Sequence, residues 1–501
     1  MTLTRLPIIL IACATVLSSQ QTPANREIKA TEEITIDAGA ATRPFPHFWE
    51  QMFGSGRAVL SLRDSYRRDL RAVKAATDIR YVRFHAIFDD EVGTYSEDAH
   101  GKSVYNWSYV DQIYDGLLDN GVRPFVEMSF MPRALAASDK PHAFWYHPLP
   151  SPPKDYAKWE DLVYNFAKHL VDRYGIDEVS QWYFEVWNEP NIDFWTGEPK
   201  QATYFELYDH AARAIKRAEP RLRVGGPATA QAAWIPEMIQ HSVQAHVPLD
   251  FVSTHVYGND LSKDIFGTDE KIDRQVMVSR AVRKVYNQVK SSARPDLPII
   301  WSEYNASYKT EIDVTDSAFM GPWLANNIRL CDGLTTMMSY WTFSDVFEEQ
   351  GVIQTPFYGG YGLIAEGGVP KPAFNAFAML HRLGDQRLQG DWSDSLVTKR
   401  ADGTLAIAVW NYSAPGTAGP ARQFHIKVNG WAGTPRYHIE IVDRDHGSPL
   451  PAWQAMSSPA SPTGAQYEQL KRVATVTQKL DGTSTLMLPS QGLALVEVSA
   501  H

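Results

Sequence analysis

Two glutamates in this sequence end short apolar runs, where a charge has no packing role. The first run, Trp182-Tyr183-Phe184-Glu185-Val186-Trp187, stops at Asn188-Glu189-Pro190. Proline pushes the residue before it out of the α region, so the pattern predicts Glu189 at the end of a buried strand. The second run, Leu297-Pro298-Ile299-Ile300-Trp301-Ser302, is capped by Glu303. Structural glutamates ordinarily sit on solvated faces. Two of them on buried strand ends suggest cleavage of a glycosidic bond, a reaction that needs a pair of carboxyl groups. One must stay protonated to help the leaving group depart, while the other must be ionised to attack the anomeric carbon. The residues alone leave open which does which.

The elements that position this pair form a repeat: short apolar runs alternate with amphipathic stretches eight times. Strands are predicted at 48–53, 81–85, 123–128, 182–187, 223–226, 251–255, 299–303 and 337–341. Helices are predicted at 63–76, 107–119, 155–173, 201–218, 233–245, 270–292, 316–331 and 371–382. Eight βα units imply an α/β fold closed as a (β/α)8 TIM barrel over residues 45–384. A doubly wound open sheet would show a glycine-rich phosphate turn after its first strand, and Gln51-Met52-Phe53-Gly54-Ser55-Gly56 does not lead into one.

Past residue 385 the helical period gives way to strand-like runs at 405–412, 424–428, 437–442, 473–478 and 493–498. They predict an accessory C-terminal β-sandwich over 385–501, with a long Ser/Pro/Ala-rich loop at 443–472. The alternating run 28–37, in an N-terminal stretch 22–44, is expected to join that sandwich, because a closed barrel offers no edge. In such barrels the active site lies at the C-terminal ends of the strands, so Glu189 on the fourth and Glu303 on the seventh would face each other. A separation of about 5–5.5 Å would mark a retaining enzyme.

The 501 residues, 44% hydrophobic, suffice for one large and one smaller domain. A net charge of -10 without a basic stripe argues against nucleic acid as a partner. Fifteen Trp and 23 Tyr are compatible with stacking on sugar faces. Residues 1–21 place Arg5 before an apolar run and then Ser18 and Ser19, the build of a signal peptide, so export to the periplasm or the exterior is expected. Leu10-Ile11-Ala12-Cys13 also fits a lipobox that would leave a lipid anchor on Cys13. No later stretch is long and apolar enough for a membrane span. Cys331 is the only other cysteine, so no internal disulfide is expected. No cofactor is expected, and no metal, since no His-Glu-x-x-His occurs and neither His85 nor His255 has further ligands at a recognisable spacing.

Three segments carry a resemblance: Trp187-Asn188-Glu189-Pro190-Asn191, Trp301-Ser302-Glu303-Tyr304-Asn305 and Arg83-Phe84-His85-Ala86-Ile87-Phe88-Asp89-Asp90. Together they resemble glycoside hydrolase family 39, which holds β-xylosidases and α-L-iduronidases; the Asn-Glu-Pro turn alone is shared across the wider clan of retaining barrel glycosidases. The resemblance covers nearly the whole chain. It implies Glu189 as general acid/base, Glu303 as nucleophile and Asn188 as a ligand of the sugar 2-hydroxyl. It further implies that Tyr257 donates to the nucleophile and that His85, and less directly His255, bind substrate hydroxyls. Trp341 would be the platform under the sugar, followed by a cis peptide bond, and Phe130 a hydrophobic wall. Glu348 or Glu349, in the loop after the eighth strand, would bind a further hydroxyl. Asp89 and Asp90 either hold the rim or cap a turn. Asn305-Ala306-Ser307 is a glycosylation sequon, but a glycan beside Glu303 would block the mouth.

The expected activity is a retaining exo-glycosidase that removes terminal β-D-xylosyl residues from xylo-oligosaccharides. Rivals within the family are an α-L-iduronidase or a β-glucosidase-like enzyme. An iduronidase would want a cation aimed at the substrate carboxylate, and an aspartate where this chain has Asn191. A rival from another class is a non-catalytic carbohydrate-binding protein.

Overall fold

The computed structural model describes residues 31–475 and 477–500. The signal-peptide segment with Cys13, and the first three residues of the expected N-terminal strand, lie outside the described residues. Eight parallel strands close into a barrel: β1 (Met52–Gly54), β2 (Tyr81–Phe84), β3 (Arg123–Met128), β4 (Tyr183–Val186), β5 (Arg223–Thr229), β6 (Phe251–Tyr257), β7 (Ile299–Asn305) and β8 (Met337–Tyr340). Closure comes from β8 pairing with β1, Ser339 against Met52 and Tyr340 against Phe53.

The surrounding helices are α1 (Asp64–Ala76), α2 (Ser108–Leu118), α3 (Tyr156–Tyr174), α4 (Lys200–Ala218), α5 (Ile235–Gln244), α6 (Arg274–Lys290), α7 (Met320–Cys331) and α8 (Pro372–Leu380). In α3 the Asp155 side chain caps the N-terminus by accepting from the amides of Ala157 and Lys158 at 2.9 and 3.2 Å. Trp159, Leu162, Val163, Phe166, Ala167 and Leu170 then form one buried stripe at helical spacing. The seventh helix begins at Met320, later than the expected residue 316, because a short turn at Ile312–Thr315 precedes it. Asp316 instead forms a buried ion pair with Lys371 at 2.7 Å.

Inside the barrel, Met52, Phe125, Phe251, Ile300 and Met337 make an apolar floor. Two residues further along their strands, the buried residues are Glu127, Ser253, Ser302 and Ser339, joined at the same level by Arg83 and Glu185. The period-2 alternation of strands thus stacks a layer of charge directly on a layer of hydrocarbon.

The sandwich pairs a three-stranded sheet with a seven-stranded one. The N-terminal strand Glu32–Asp37 lies parallel to Arg422–Asn429 in the smaller sheet. In the strand Leu405–Asn411, Leu405, Ile407 and Val409 face the sandwich interior. Ala406, Ala408 and Trp410 face the opposite way and join the barrel core. The segment expected as a loop at 443–472 instead holds two helices, Leu450–Ala455 and Gly464–Ala474, so the expected strand at 473–478 starts only at Gln478. The second helix is nucleated by a capping box between Thr463 and Gln466. Leu450, Trp453, Leu470 and Ala474 pack on Phe357, Ala365 and Val369 of the connection after β8. Among the described residues no helix is long and apolar enough to cross a membrane. Cys331 is buried and free.

Candidate active site

The backbone aims the two glutamates by irregularities at the strand ends. After β4, Trp187 and Glu189 take left-handed conformations, φ +72° and +45°. Side chains other than glycine adopt these rarely, and here hydrogen bonds hold them. The Trp187 indole donates to the Phe194 carbonyl at 2.7 Å, and the Glu189 amide to the Ala228 carbonyl at 2.8 Å. Between β6 and β7 a bulge does the same work: Thr254 pairs with Trp301 but His255 with Glu303, leaving Ser302 extra. Ser302 and Glu303 therefore both face inward, Ser302 Oγ lying 3.1 Å from His255 Nε2.

Glu189, Glu303 and His255 each place one polar atom within 4.8 Å of the other two. The surroundings of the two carboxyls differ. Arg83, fully buried, reaches Glu303 Oε1 at 2.6 Å, and the Tyr257 hydroxyl donates to Oε2 at 2.7 Å. The same guanidinium holds Glu185 at 2.6 Å and Glu127 at 2.9 Å, and donates to the Asn188 amide oxygen at 3.0 Å. Among the described residues no cation pairs with Glu189 in this way: its neighbour at 3.0 Å is His255 Nδ1. Burial pushes the His255 imidazole well below its usual range, with Arg83 and His85 adding to it, so the ring is neutral. Burial first, then the charges of Glu303 and Asp260, push the Glu189 carboxyl well above the usual carboxylate range. The pair thus has divergent environments, the arrangement that lets one carboxyl be an acid while the other is an anion.

A cavity of about 350 Å³ opens over this pair. Trp341 lines it, 4.8 Å from the His85 ring, and the peptide bond after Trp341 is cis. The indole lies so close to β1 that a Cβ on Gly54 would sit 2.1 Å from its Cε3, so only glycine fits there. His85 Nδ1 meets Glu127 at 2.6 Å, and Nε2 lies 3.7 Å from Glu349. Burial opposes charge on this ring, but the charge and hydrogen bond of Glu127 outweigh it and raise His85 above its usual range. The long β8–α8 connection, which supplies Glu349, Gln350 and Tyr361 to the wall, is tied down by buried Lys371 between Asp316 and Asp345 at 2.7 and 2.5 Å.

Asn188, Glu189, Glu303, His85, Tyr257 and Trp341 are therefore brought to one cavity. His255 lies behind the wall, fully buried, against Glu189 rather than facing open space. Phe130 is also fully buried and backs the wall from outside, its ring 6.1 Å from that of Phe194, which lines the cavity in its place. Glu348 turns away to Arg63 at 2.6 Å and Arg57 at 3.3 Å; of the two loop glutamates the one lining the cavity is Glu349. Asp89 accepts from the Glu91 amide at 3.0 Å and caps a turn. Asp90 accepts from the Arg133 amide at 3.2 Å. Arg83, Glu127, Glu185 and Asp260 escaped the reading of the sequence as individual site residues. Charges at alternate positions of otherwise apolar strands were the available signal for the first three.

The family model for glycosyl hydrolases family 39 matches residues 32–485. The chain belongs to this family. As a family 39 glycoside hydrolase it is similar to a β-xylosidase of Geobacillus stearothermophilus, 36% identical over 436 residues, or 85% of this chain and 86% of the relative. A β-xylosidase of Caldicellulosiruptor saccharolyticus is 34% identical, covering 87% of this chain and 90% of the relative. Among solved structures, that of a monomeric β-xylosidase from Caulobacter crescentus CB15 superposes with a TM-score of 0.83 at 33% identity, covering 94% of this chain and 99% of that one.

Proposed function

We propose that this family 39 hydrolase is a retaining exo-β-xylosidase that releases terminal β-D-xylosyl residues from xylo-oligosaccharides. The observation that carries the mechanism is the contrast within one close pair: Glu303 faces the Arg83 cation, while Glu189 has only a neutral histidine. One oxygen of each carboxyl lies within 4.8 Å of the other, a close pair that favours the retaining over the inverting arrangement. Glu303 attacks the anomeric carbon as Glu189 gives its proton to the glycosidic oxygen, and the C–O bond to the leaving group breaks. A covalent glycosyl-enzyme forms on Glu303. Glu189, now ionised, takes a proton from water, which displaces Glu303 with a second inversion.

The choice of sugar rests on the relatives named β-xylosidases and on the charge of the cavity. The described residues that line it include Asp260 and Glu349 but no Lys or Arg. A uronic acid would meet carboxyls and find no Lys or Arg among the described lining residues, which disfavours the iduronidase reading. The small cavity favours capture of a chain end over a threaded polymer. The apolar run before Ser18 supports export, to the periplasm or beyond, with a lipid on Cys13 as the anchored variant of the same route. A panel of nitrophenyl glycosides tests the substrate: the β-xyloside should be turned over fastest, and a faster iduronide or glucoside would overturn it.

A further inference from the structure

On the Glu189 side of the cavity three segments meet. The first, 228–234, takes in the bulged end of β5 and holds four non-glycine residues in left-handed conformations: Ala228, Gln231, Ala232 and Trp234. Few L residues adopt such backbones unless their surroundings impose them. Here Asn191, two residues after the acid, clamps Ala230 twice, accepting from its amide at 2.9 Å and donating to its carbonyl at 3.1 Å. The Glu189 amide is bonded to the Ala228 carbonyl at 2.8 Å, which joins the backbone of the acid to this segment.

The second segment brings Asp260, whose Oδ2 accepts from the Tyr257 amide at 2.8 Å. This carboxyl is 8% exposed and lines the cavity, where burial pushes it up to about 7. No cation pairs with it among the described residues. The third segment brings Tyr308, 45% exposed on the rim, its amide bonded to Asn259 Oδ1 at 3.0 Å. Gln231 reaches Asp264 at 3.4 Å, which ties the first segment to the second. Gln231 and Asp260 thus line the cavity on segments next to the acid, one bonded to its amide and the other placing its charge near its carboxyl, with Tyr308 beside them against Tyr257 at 6.2 Å between ring centroids, while Trp341 packs on His85 at 4.8 Å.

The glycosidic oxygen must lie at Glu189, so whatever is attached to that oxygen lies against the wall nearest Glu189. We infer that this wall is a built leaving-group subsite, in which Gln231 and Asp260 bind hydroxyls of the departing sugar, Tyr308 stacks on it, and Asn191 positions the segment that carries Gln231. The inference rests on Glu189 being the acid. It assigns preference for a carbohydrate leaving group, as opposed to an aryl or alkyl one, to residues outside the catalytic pair.

The test compares kcat/KM for xylobiose, for a phenyl xyloside, which needs the Glu189 proton but carries no leaving-group hydroxyls, and for a dinitrophenyl xyloside, in Gln231→Ala, Asp260→Asn and Asn191→Ala. Each variant should lose at least tenfold more on xylobiose than on either aryl substrate, with the loss mainly in KM for Gln231→Ala. In the second step, xylose as acceptor should lose its advantage over azide. Equal losses on xylobiose and the phenyl xyloside in all three variants, or unchanged xylobiose hydrolysis, would overturn the subsite. A folding defect lowers all three substrates together and a disturbed Glu189 lowers xylobiose and the phenyl xyloside alike, so neither mimics a loss confined to xylobiose, and Asp260→Asn keeps side-chain shape. The nitrophenyl panel judges the sugar separately. If it selects another glycone, the disaccharide and the phenyl and dinitrophenyl glycosides of that sugar replace the xylose substrates, and the subsite is judged all the same.

Discussion

Ile407 in the sandwich and Arg83 beneath the barrel mouth are equally shut off from solvent. Around Ile407 lie Val397, Leu405, Val409, Ile439 and Val496 in one apolar cluster. Around Arg83 lie Glu127, Glu185 and Glu303. The strands of the sandwich carry no left-handed non-glycine residue among those described, whereas the mouth carries them at Ala86, Trp187, Glu189, Ala228 and Gln231. Burying a charge or holding such a backbone costs stability unless neighbours compensate it, so each is expected where function demands it. The sandwich spends its burial on stability, and the mouth spends part of that on a fixed electrostatic pattern.

If this contrast is right, substitutions should separate into those that remove chemistry and those that remove stability. Glu303→Ala should have the largest effect, a loss of turnover on the order of 10⁵-fold even with activated aryl xylosides, since no other group is placed to attack. Near-wild-type rates in steady-state assays would end that assignment. Glu189→Ala should follow, with a loss of roughly 10²–10⁴-fold on xylobiose. A dinitrophenyl xyloside needs no protonation and should still form the intermediate quickly, giving a burst. Azide should then speed release as the β-xylosyl azide; an α-azide would point to a single displacement.

A third outcome concerns pH. As the proposed acid Glu189 acts in its protonated form, and burial with the charges of Glu303 and Asp260 raises its folded pKa, so kcat/KM should hold above the usual carboxylate range and fall as pH rises through the raised value. In Glu189→Gln, assayed beside the wild type on a phenyl xyloside, whose leaving group needs protonation, this alkaline limb should vanish. A limb that stays unchanged would hand it to Glu349, which burial pushes up to about 8, or to Asp260. The smallest effect on chemistry belongs to Ile407→Ala. It should cost about 2–5 kcal/mol of stability by thermal or urea unfolding, through the cavity left in the sandwich, with kcat within about twofold of wild type. A large kcat loss there would erase the distinction between the two regions.

The barrel was legible because its strands and helices alternate in hydrophobic period, and the bracketing of Glu189 by Asn188 and Pro190 marks a strand end. The helices at 450–455 and 464–474 were not, because Ser, Pro and Ala dominate their neighbourhood and their short apolar stripes face a surface made by the β8–α8 connection. The second of them starts with a capping box, and both are held by tertiary packing, which overrides weak local preference. In the site, residues on strand ends could be placed by counting. Glu348 and Glu349 could not, since two adjacent side chains in a loop point apart, and only the arginines at 57 and 63 decide which one turns outward.

In the proposed mechanism Glu303 becomes covalently bonded to the sugar. A 2-fluoro xyloside with a good leaving group slows the second step more than the first, so the intermediate accumulates and survives proteolysis. Peptide mapping by mass spectrometry should find one sugar per chain, on the peptide containing Trp301-Ser302-Glu303-Tyr304, with fragmentation placing it on Glu303. An adduct on Glu189 or on any other residue, or time-dependent inactivation with no adduct at all, would contradict the account.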